Sequence, residues 1–233
     1  MAVLRKVLAW VSVPVICMLA LVLYLARPFN PDNNRLLGLV VARTGRFFLG
    51  MDRPLEGGDN IPRDRPTVVI ANHQQNDDLF IMADLLPPRT VTVGKVSLVW
   101  TPFFGQVFWL GGNIILNRGD QQKAVAAMRA TTDAIRREHK SIWVFPEGTR
   151  SRGRGLGKFK KGAFHTAIAA GAPITMVCAA PYKGESRGWM GRRKAVPVRV
   201  LPPIETAGMS SSDVPELMAR CREQMAEAID GLA

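Results

Sequence analysis

A histidine and two acids stand close together in Ala71-Asn72-His73-Gln74-Gln75-Asn76-Asp77-Asp78. An imidazole that titrates near neutrality, beside a carboxylate, suits proton transfer. The plain alternative is a polar loop in which Asp77 or Asp78 caps a helix. On a regular helix His73 and Asp77 would be i,i+4 neighbours, with Asp78 well around the axis. If the backbone bends after Asn72 and a helix begins near Asp77, either carboxylate could reach a ring nitrogen. The one GxSxG, Gly184-Glu185-Ser186-Arg187-Gly188, does not directly follow an apolar strand pattern as a nucleophile elbow would, and no cysteine stands beside the histidine stretch, so a protein nucleophile has no good candidate. There is no GxGxxG after a strand and no GxxxxGK[ST], which argues against dinucleotide and P-loop chemistry. A His–acid pair without a nucleophile points to activation of an external hydroxyl or water.

A second set of reactive types is Phe145-Pro146-Glu147-Gly148-Thr149-Arg150-Ser151-Arg152. Arg150 can hold a phosphate by a forked, charge-assisted contact, and amides of a Gly-rich turn can add an anion nest. The alternative is a solvated basic loop with Glu147 paired to an arginine. Lys158, Lys160 and Lys161 follow in a Gly-rich basic tract; they suit a phosphate, an acidic carrier or anionic headgroups, or simply a solvated face.

Both sets need a scaffold that aims them at one place. Thr67–Ala71 is an apolar strand pattern that ends at Asn72-His73. Asp78–Leu86 suits a helix stopped by Pro87-Pro88. Further strand patterns are Thr90–Val93, Asn113–Leu116, Ser141–Phe145, Ile174–Ala179 and Val196–Leu201. Helical patterns lie between them at Gln106–Leu110, Gln121–His139 and Lys161–Ala170, with a last one at Val214–Leu232. Strands alternating with helices predict an α/β fold, a largely parallel sheet flanked by helices. In such sheets ligands sit beyond the carboxyl ends of the strands. The residues there are Asn72-His73, Gly94-Lys95, Asn117-Arg118 and Glu147-Gly148-Thr149-Arg150.

The 233 residues carry a net charge of +12, which calls for an anionic partner. Nucleic acid is disfavoured because the basic tracts carry few interleaved aromatics and sit beside acids. Three scattered cysteines give neither a disulfide framework nor a zinc site, so no metal is expected. Val7–Ala26 is free of charge, and at about 1.5 Å per residue it can cross a hydrocarbon core of about 30 Å. Tyr24 spoils a small-x-small cleavage site before Ala26, so the segment reads as a retained anchor. Pro14 allows a kink, and hence a helix that re-enters. Arg35–Leu49 reads as a second, amphipathic helix at the membrane interface, or else as a first core helix. Residues 1–50 are thus expected to anchor and residues 51–233 to form the catalytic domain. Arg35, Arg43 and Arg46 after the span predict a cytoplasmic face.

Four segments resemble, in order, the motifs of the glycerolipid acyltransferases. Residues 72–78 match NHxxxxD; Gly112-Asn113-Ile114-Ile115-Leu116-Asn117-Arg118 resembles GxxxxxR; residues 145–151 match FPEGTRS; Ala172–Val177 resembles the fourth block. Asn117 stands where the family often has an acid, and Thr175 and Met176 depart from the fourth block. The resemblance spans about residues 67 to 180 and is nearest to bacterial 1-acylglycerol-3-phosphate acyltransferases. It implies acyl transfer from an acyl carrier protein or coenzyme A thioester to the sn-2 hydroxyl of lysophosphatidate, at the inner membrane, with no cofactor. By the motif, His73 is the general base and Asp78, rather than Asp77, its partner. Lys95, Arg118 and Arg150 would hold the acceptor phosphate, with Glu147, Gly148 and Thr149 shaping its pocket. Amides near Gly148 or Gly112 are candidates for the oxyanion. Glycerol 3-phosphate or another lysolipid is the rival acceptor. A basic, membrane-anchored binding protein without catalysis is the rival of another kind.

Overall fold

The computed structural model describes residues 2–117, 121–182 and 194–232. Helix α1 (Ala2–Ala26) and helix α2 (Asp32–Leu49) come first, followed by the short strands β1 (Met51–Asp52) and β2 (Leu55–Glu56). Then β3 (Val68–Ala71), α3 (Asp78–Met82), β4 (Thr90–Lys95), α4 (Phe104–Leu110), β5 (Ile114–Leu116), α5 (Gln121–Arg136), β6 (Ser141–Val144), α6 (Gly162–Ala170) and β7 (Ile174–Ala179) alternate. The short β8 (Lys194–Ala195), β9 (Val198–Val200) and α7 (Val214–Asp230) complete the chain.

Among the described residues the main sheet runs β2-β9-β7-β3-β6-β4-β5. Its pairs are parallel except β7 with β9. The central strand β3 is buried along its whole length between β6 and β7, which is why Val68–Ala71 is continuously apolar. Parallel pairing sets Ile70 opposite Val144 and Met176, so the carboxyl ends of β3, β6 and β7 lie at one edge. Lys95 is paired with Leu116 at the same edge of β4 and β5.

Two apolar cores lie on the two faces of the sheet. One is filled by α5, α6 and α7; the other takes residues of α1, α2 and α3 together with Val69, Ala71, Trp143 and Val177. The anchoring helices are therefore packed onto the sheet. Arg5 donates from Nε to Phe48 O at 2.7 Å at one end, and Tyr24 Oη meets Asn34 Oδ1 at 3.3 Å at the other, so α1 and α2 run antiparallel. Helix α2 packs one face on the protein and leaves another outside. Its Asn34, Gly38, Val41, Ala42, Gly45 and Leu49 are buried. A Cβ on Gly45 would come within 2.0 Å of the Phe80 ring, so only glycine admits this contact with α3. Leu36, Val40 and Phe47 remain outside, which is why the sequence looks amphipathic.

Two expectations shift. The helix expected over Asp78–Leu86 stops at Met82 and continues as a tighter 3₁₀ turn, Ala83–Leu85. The strand expected over Val196–Leu201 is shortened to Val198–Val200, which joins the main sheet, and a separate short strand before it, Lys194–Ala195, pairs with Met51–Asp52. Pro197 sits at the break, where a residue without an N–H cannot continue a ladder.

Candidate active site

The chain turns sharply after β3, and Asn72 fixes the turn. Its side chain donates to Ala179 O at 2.9 Å and accepts from Ala179 N at 2.8 Å, so the loop is tied to the end of β7. His73 follows with 17 % of its side chain exposed, and its Nδ1 lies 2.6 Å from Asp78 Oδ2. The bend brings Asp78, rather than Asp77, to the imidazole. Asp78 is buried, and its Oδ2 also accepts the amides of Gln74 (2.7 Å) and Gln75 (3.1 Å). Its Oδ1 accepts the hydroxyl of Tyr182. An oxygen already accepting two amide hydrogens acts as acceptor toward the ring too. Nδ1 therefore carries the hydrogen, and Nε2 is left as the basic nitrogen.

The imidazole is stacked on Phe145, with centroids 4.0 Å apart and an interplanar angle of 15°. Phe145 follows β6, so the neighbouring strand end fixes the plane of the ring. The two loops are also tied through backbone: Ser151 N donates to His73 O at 2.8 Å and Arg152 N to Gln74 O at 3.1 Å. Glu147 is buried between them. Its Oε1 accepts the amide of His73 at 2.7 Å and its Oε2 the amide of Gly157 at 2.9 Å. Both oxygens of this carboxylate thus hold backbone. A Cβ at Gly157 would lie 2.6 Å from Oε2, so the chain passes there only as glycine.

Asp77 faces the other way. Trp10 of α1 donates from Nε1 to its Oδ1 at 3.0 Å, and the Lys6 ammonium lies 3.5 Å from its Oδ2. The Trp10 ring packs against Phe80 with centroids 5.0 Å apart. A buried carboxylate needs such partners; the first helix provides them.

Of the expected phosphate ligands, Lys95 ends β4 and Arg150 follows β6, strands that end at the same edge of the sheet as β3. Gly148, Thr149 and Arg150 form the turn after β6, with Thr149 and Arg150 exposed. Lys95 is exposed at the end of β4. Among the described residues no acidic side chain pairs with Lys95, Arg150, Lys158, Lys160 or Lys161. Arg118 lies outside the described residues. Of the amides near those glycines, Gly148 N donates to Phe145 O at 3.0 Å and Gly112 N to Trp109 O at 3.0 Å, so these two are engaged. Cys178, near the end of β7, is fully buried, and burial pushes its thiol up to about 12. It is protonated at neutral pH and is no nucleophile.

A model of the Acyltransferase family matches residues 53–179, more than half of the chain. The chain belongs to the Acyltransferase family. Among its relatives, the 1-acyl-sn-glycerol-3-phosphate acyltransferase of Salmonella typhimurium is 39 % identical over 214 residues, covering 92 % of this chain and 87 % of the relative. The enzyme of that name from Haemophilus influenzae is 37 % identical over 231 residues, covering 97 % and 94 %. The alpha form from Homo sapiens is 34 % identical over 215 residues, covering 90 % and 75 %. The crystal structure of the 1-acyl-sn-glycerophosphate (LPA) acyltransferase from Thermotoga maritima superposes with a TM-score of 0.79, covering 99 % of this chain and 95 % of that one. At 20 % identity that likeness speaks for the fold.

This acyltransferase is membrane-associated. Val3–Ala26 is long and apolar enough to cross a bilayer, and only 22 % of its most apolar window is buried against the protein. Three contributors to the site went unnamed in the sequence: Tyr182, Trp10 and Lys6. A usable signal existed for Tyr182 alone. It follows the fifth apolar strand pattern, whose carboxyl end must share an edge with that of Thr67–Ala71.

Proposed function

We propose that this chain acylates the sn-2 hydroxyl of 1-acylglycerol 3-phosphate, giving phosphatidate, with an acyl carrier protein or coenzyme A thioester as donor. The carrying observation is the His73–Asp78 pair, fixed in plane and tautomer, on the same sheet edge as cations that have no acidic partner among the described residues. Nε2 of His73 takes the hydroxyl proton as the alkoxide oxygen bonds to the thioester carbonyl carbon. The tetrahedral intermediate collapses, the C–S bond breaks, and the imidazolium returns its proton to the departing thiolate. Asp78 stabilises the imidazolium, and Tyr182 and the two amides hold Asp78. The step needs no resident metal or cofactor.

Arg150 and Lys95, with Arg118, hold the acceptor phosphate. Thr149 adds a hydroxyl at the same turn, and Gly148 provides its left-handed corner, with φ at 70°. Glu147 acts through His73, by holding its amide. Fixing the acceptor this way draws on the roughly 7–11 kcal/mol available from orientation. Curated relatives named for this reaction support the choice of acceptor. The basic residues after α1 support a catalytic domain on the cytoplasmic face of the inner membrane. There +12 of charge favours anionic lipids at about 1 kcal/mol per basic residue near the surface.

The deciding experiment is transfer of a labelled acyl group from each thioester to lysophosphatidate and, separately, to glycerol 3-phosphate. We expect lysophosphatidate to be preferred, and His73→Ala to lower turnover by about 10²–10⁴-fold. Full activity in His73→Ala would end the general-base mechanism. Preference for glycerol 3-phosphate would reassign the acceptor.

A further inference from the structure

The segment between β4 and α4 carries apolar surface that the reaction does not use. A 3₁₀ turn, Val96–Trp100, leads directly from Lys95. Trp100 is 84 % exposed, and Val96, Phe103 and Trp109 are exposed beside it. The turn is built rather than frayed: Thr101 N donates to Leu98 O at 3.1 Å, Phe104 N to Pro102 O and Gly105 N to Thr101 O, both at 2.7 Å. Phe103 has φ 60° and ψ −43°, a conformation that a bulky residue holds only under constraint. The fold thus holds an exposed aromatic tip in place.

Continuity and charge name the partner. Helix α4 packs against α1. Phe29, just after α1, donates its amide to Leu110 O at 2.7 Å, and its ring meets Trp109 edge-on at 5.2 Å. The exposed aromatics therefore extend the apolar face of α1, the membrane-associated helix. Between Asp84 and Asp120 the chain has no acid; its charges are Arg89, Lys95 and Arg118. A cationic, acid-free segment tipped with an indole matches the boundary of an anionic bilayer, where Trp concentrates.

We propose that Val96–Phe103 is a second bilayer contact, in which Trp100 seats at the headgroup boundary and sets the height of Lys95. Five residues of 3₁₀ turn at about 2 Å each put the Trp100 backbone up to roughly 10 Å from that of Lys95 along the turn. A headgroup layer is about 5–7 Å deep, half the difference between a whole bilayer and its hydrocarbon core. With the ring at the inner boundary, the ammonium stands at or just above the lipid phosphates. A lysolipid held by its chain in the bilayer meets it there. This catalytic consequence rests on the proposed lysophosphatidate acceptor; the insertion itself does not.

The test uses the full chain on vesicles of phosphatidylglycerol and phosphatidylethanolamine. Fluorescence lost in Trp100→Phe reports Trp100. We expect brominated lipid to quench that component and aqueous iodide to miss it. Trp100→Glu should raise KM for vesicle-borne lysophosphatidate by about tenfold, with kcat and the KM for a short-chain, monomeric acceptor within about twofold. Iodide quenching without bromolipid quenching overturns insertion. Insertion with an unchanged vesicle KM overturns the height-setting role. A dimer that Trp100→Glu splits, with vesicle binding unaltered, would give the surface to a second copy instead. If the wild type acylates neither acceptor, the proposed function fails while the quenching result stands.

Discussion

Two loops leave neighbouring strands at the same edge of the sheet and are built in opposite ways. The loop after β3 is mostly buried and densely hydrogen-bonded. Asn72, Gln74 and Asp78 each bond to backbone, and Asp77 is held from α1. The loop after β6 exposes Thr149, Arg150, Arg152, Lys158 and Lys160, and it turns through Gly148, Gly153 and Gly155 at positive φ. The difference suits the two tasks proposed for these loops. A base must keep one tautomer and one direction, because proton transfer fails when the geometry loosens. A phosphate clamp works through long side chains and free charge that close on the ligand when it arrives. Glu147 joins the two, with its backbone in the open loop and its carboxylate in the closed one.

The largest expected break is Asp78→Asn. An amide cannot accept from the ring and two backbone amides and still suit Tyr182. We expect kcat to fall by about 10²–10⁴-fold with little change in KM for the acceptor; steady-state kinetics in mixed micelles would check it. Glu147→Gln comes next. It sets an NH₂ against a backbone N–H in a buried place, at a cost of about 1–3 kcal/mol. Melting followed by circular dichroism should drop by about 2–4 °C per kcal/mol, and kcat should fall because the His73 amide is released. An unchanged kcat would show that the two loops are independent.

The open loop should give smaller effects, on KM rather than on kcat. Arg150→Lys keeps the charge and loses the fork. Acceptor KM should rise about tenfold, a loss of about 1.4 kcal/mol, with kcat nearly kept. Smallest is the effect of salt. Raising ionic strength from about 0.05 to about 0.5 M should raise that KM a few-fold through screening of exposed cations. It should leave kcat alone, because the buried pair is screened little. If salt moved kcat as strongly as KM, the division of labour would be wrong.

Sequence reading reached these loops unequally. The strand–loop–acid stretch was legible because an apolar run that stops at Asn-His delimits itself, and a parallel sheet gathers strand ends. Asp77 and Asp78 stayed equivalent on spacing alone; the bend after Asn72 and the motif together separate them. Tyr182 lies 104 residues from Asp78, and nothing local in Ala180-Pro181-Tyr182 announces a buried hydroxyl. Glu147 was expected near the acceptor, because an acid beside arginines gives no sign that its oxygens serve backbone amides. Helix α2 was ambiguous for a physical reason: it is apolar on two sides, one against α3 and one outward.

The contact of Lys6 and Trp10 with Asp77 bears on how this chain can be re-engineered. A generic hydrophobic tether would moor it to lipid as well as α1 does. Such a chimera would leave a buried carboxylate orphaned one residue from Asp78. Anyone trimming the first helix to obtain a detergent-free catalyst must therefore redesign Asp77 at the same time. Mooring and catalyst are not modules to be exchanged, and a lineage could replace one only by changing the other.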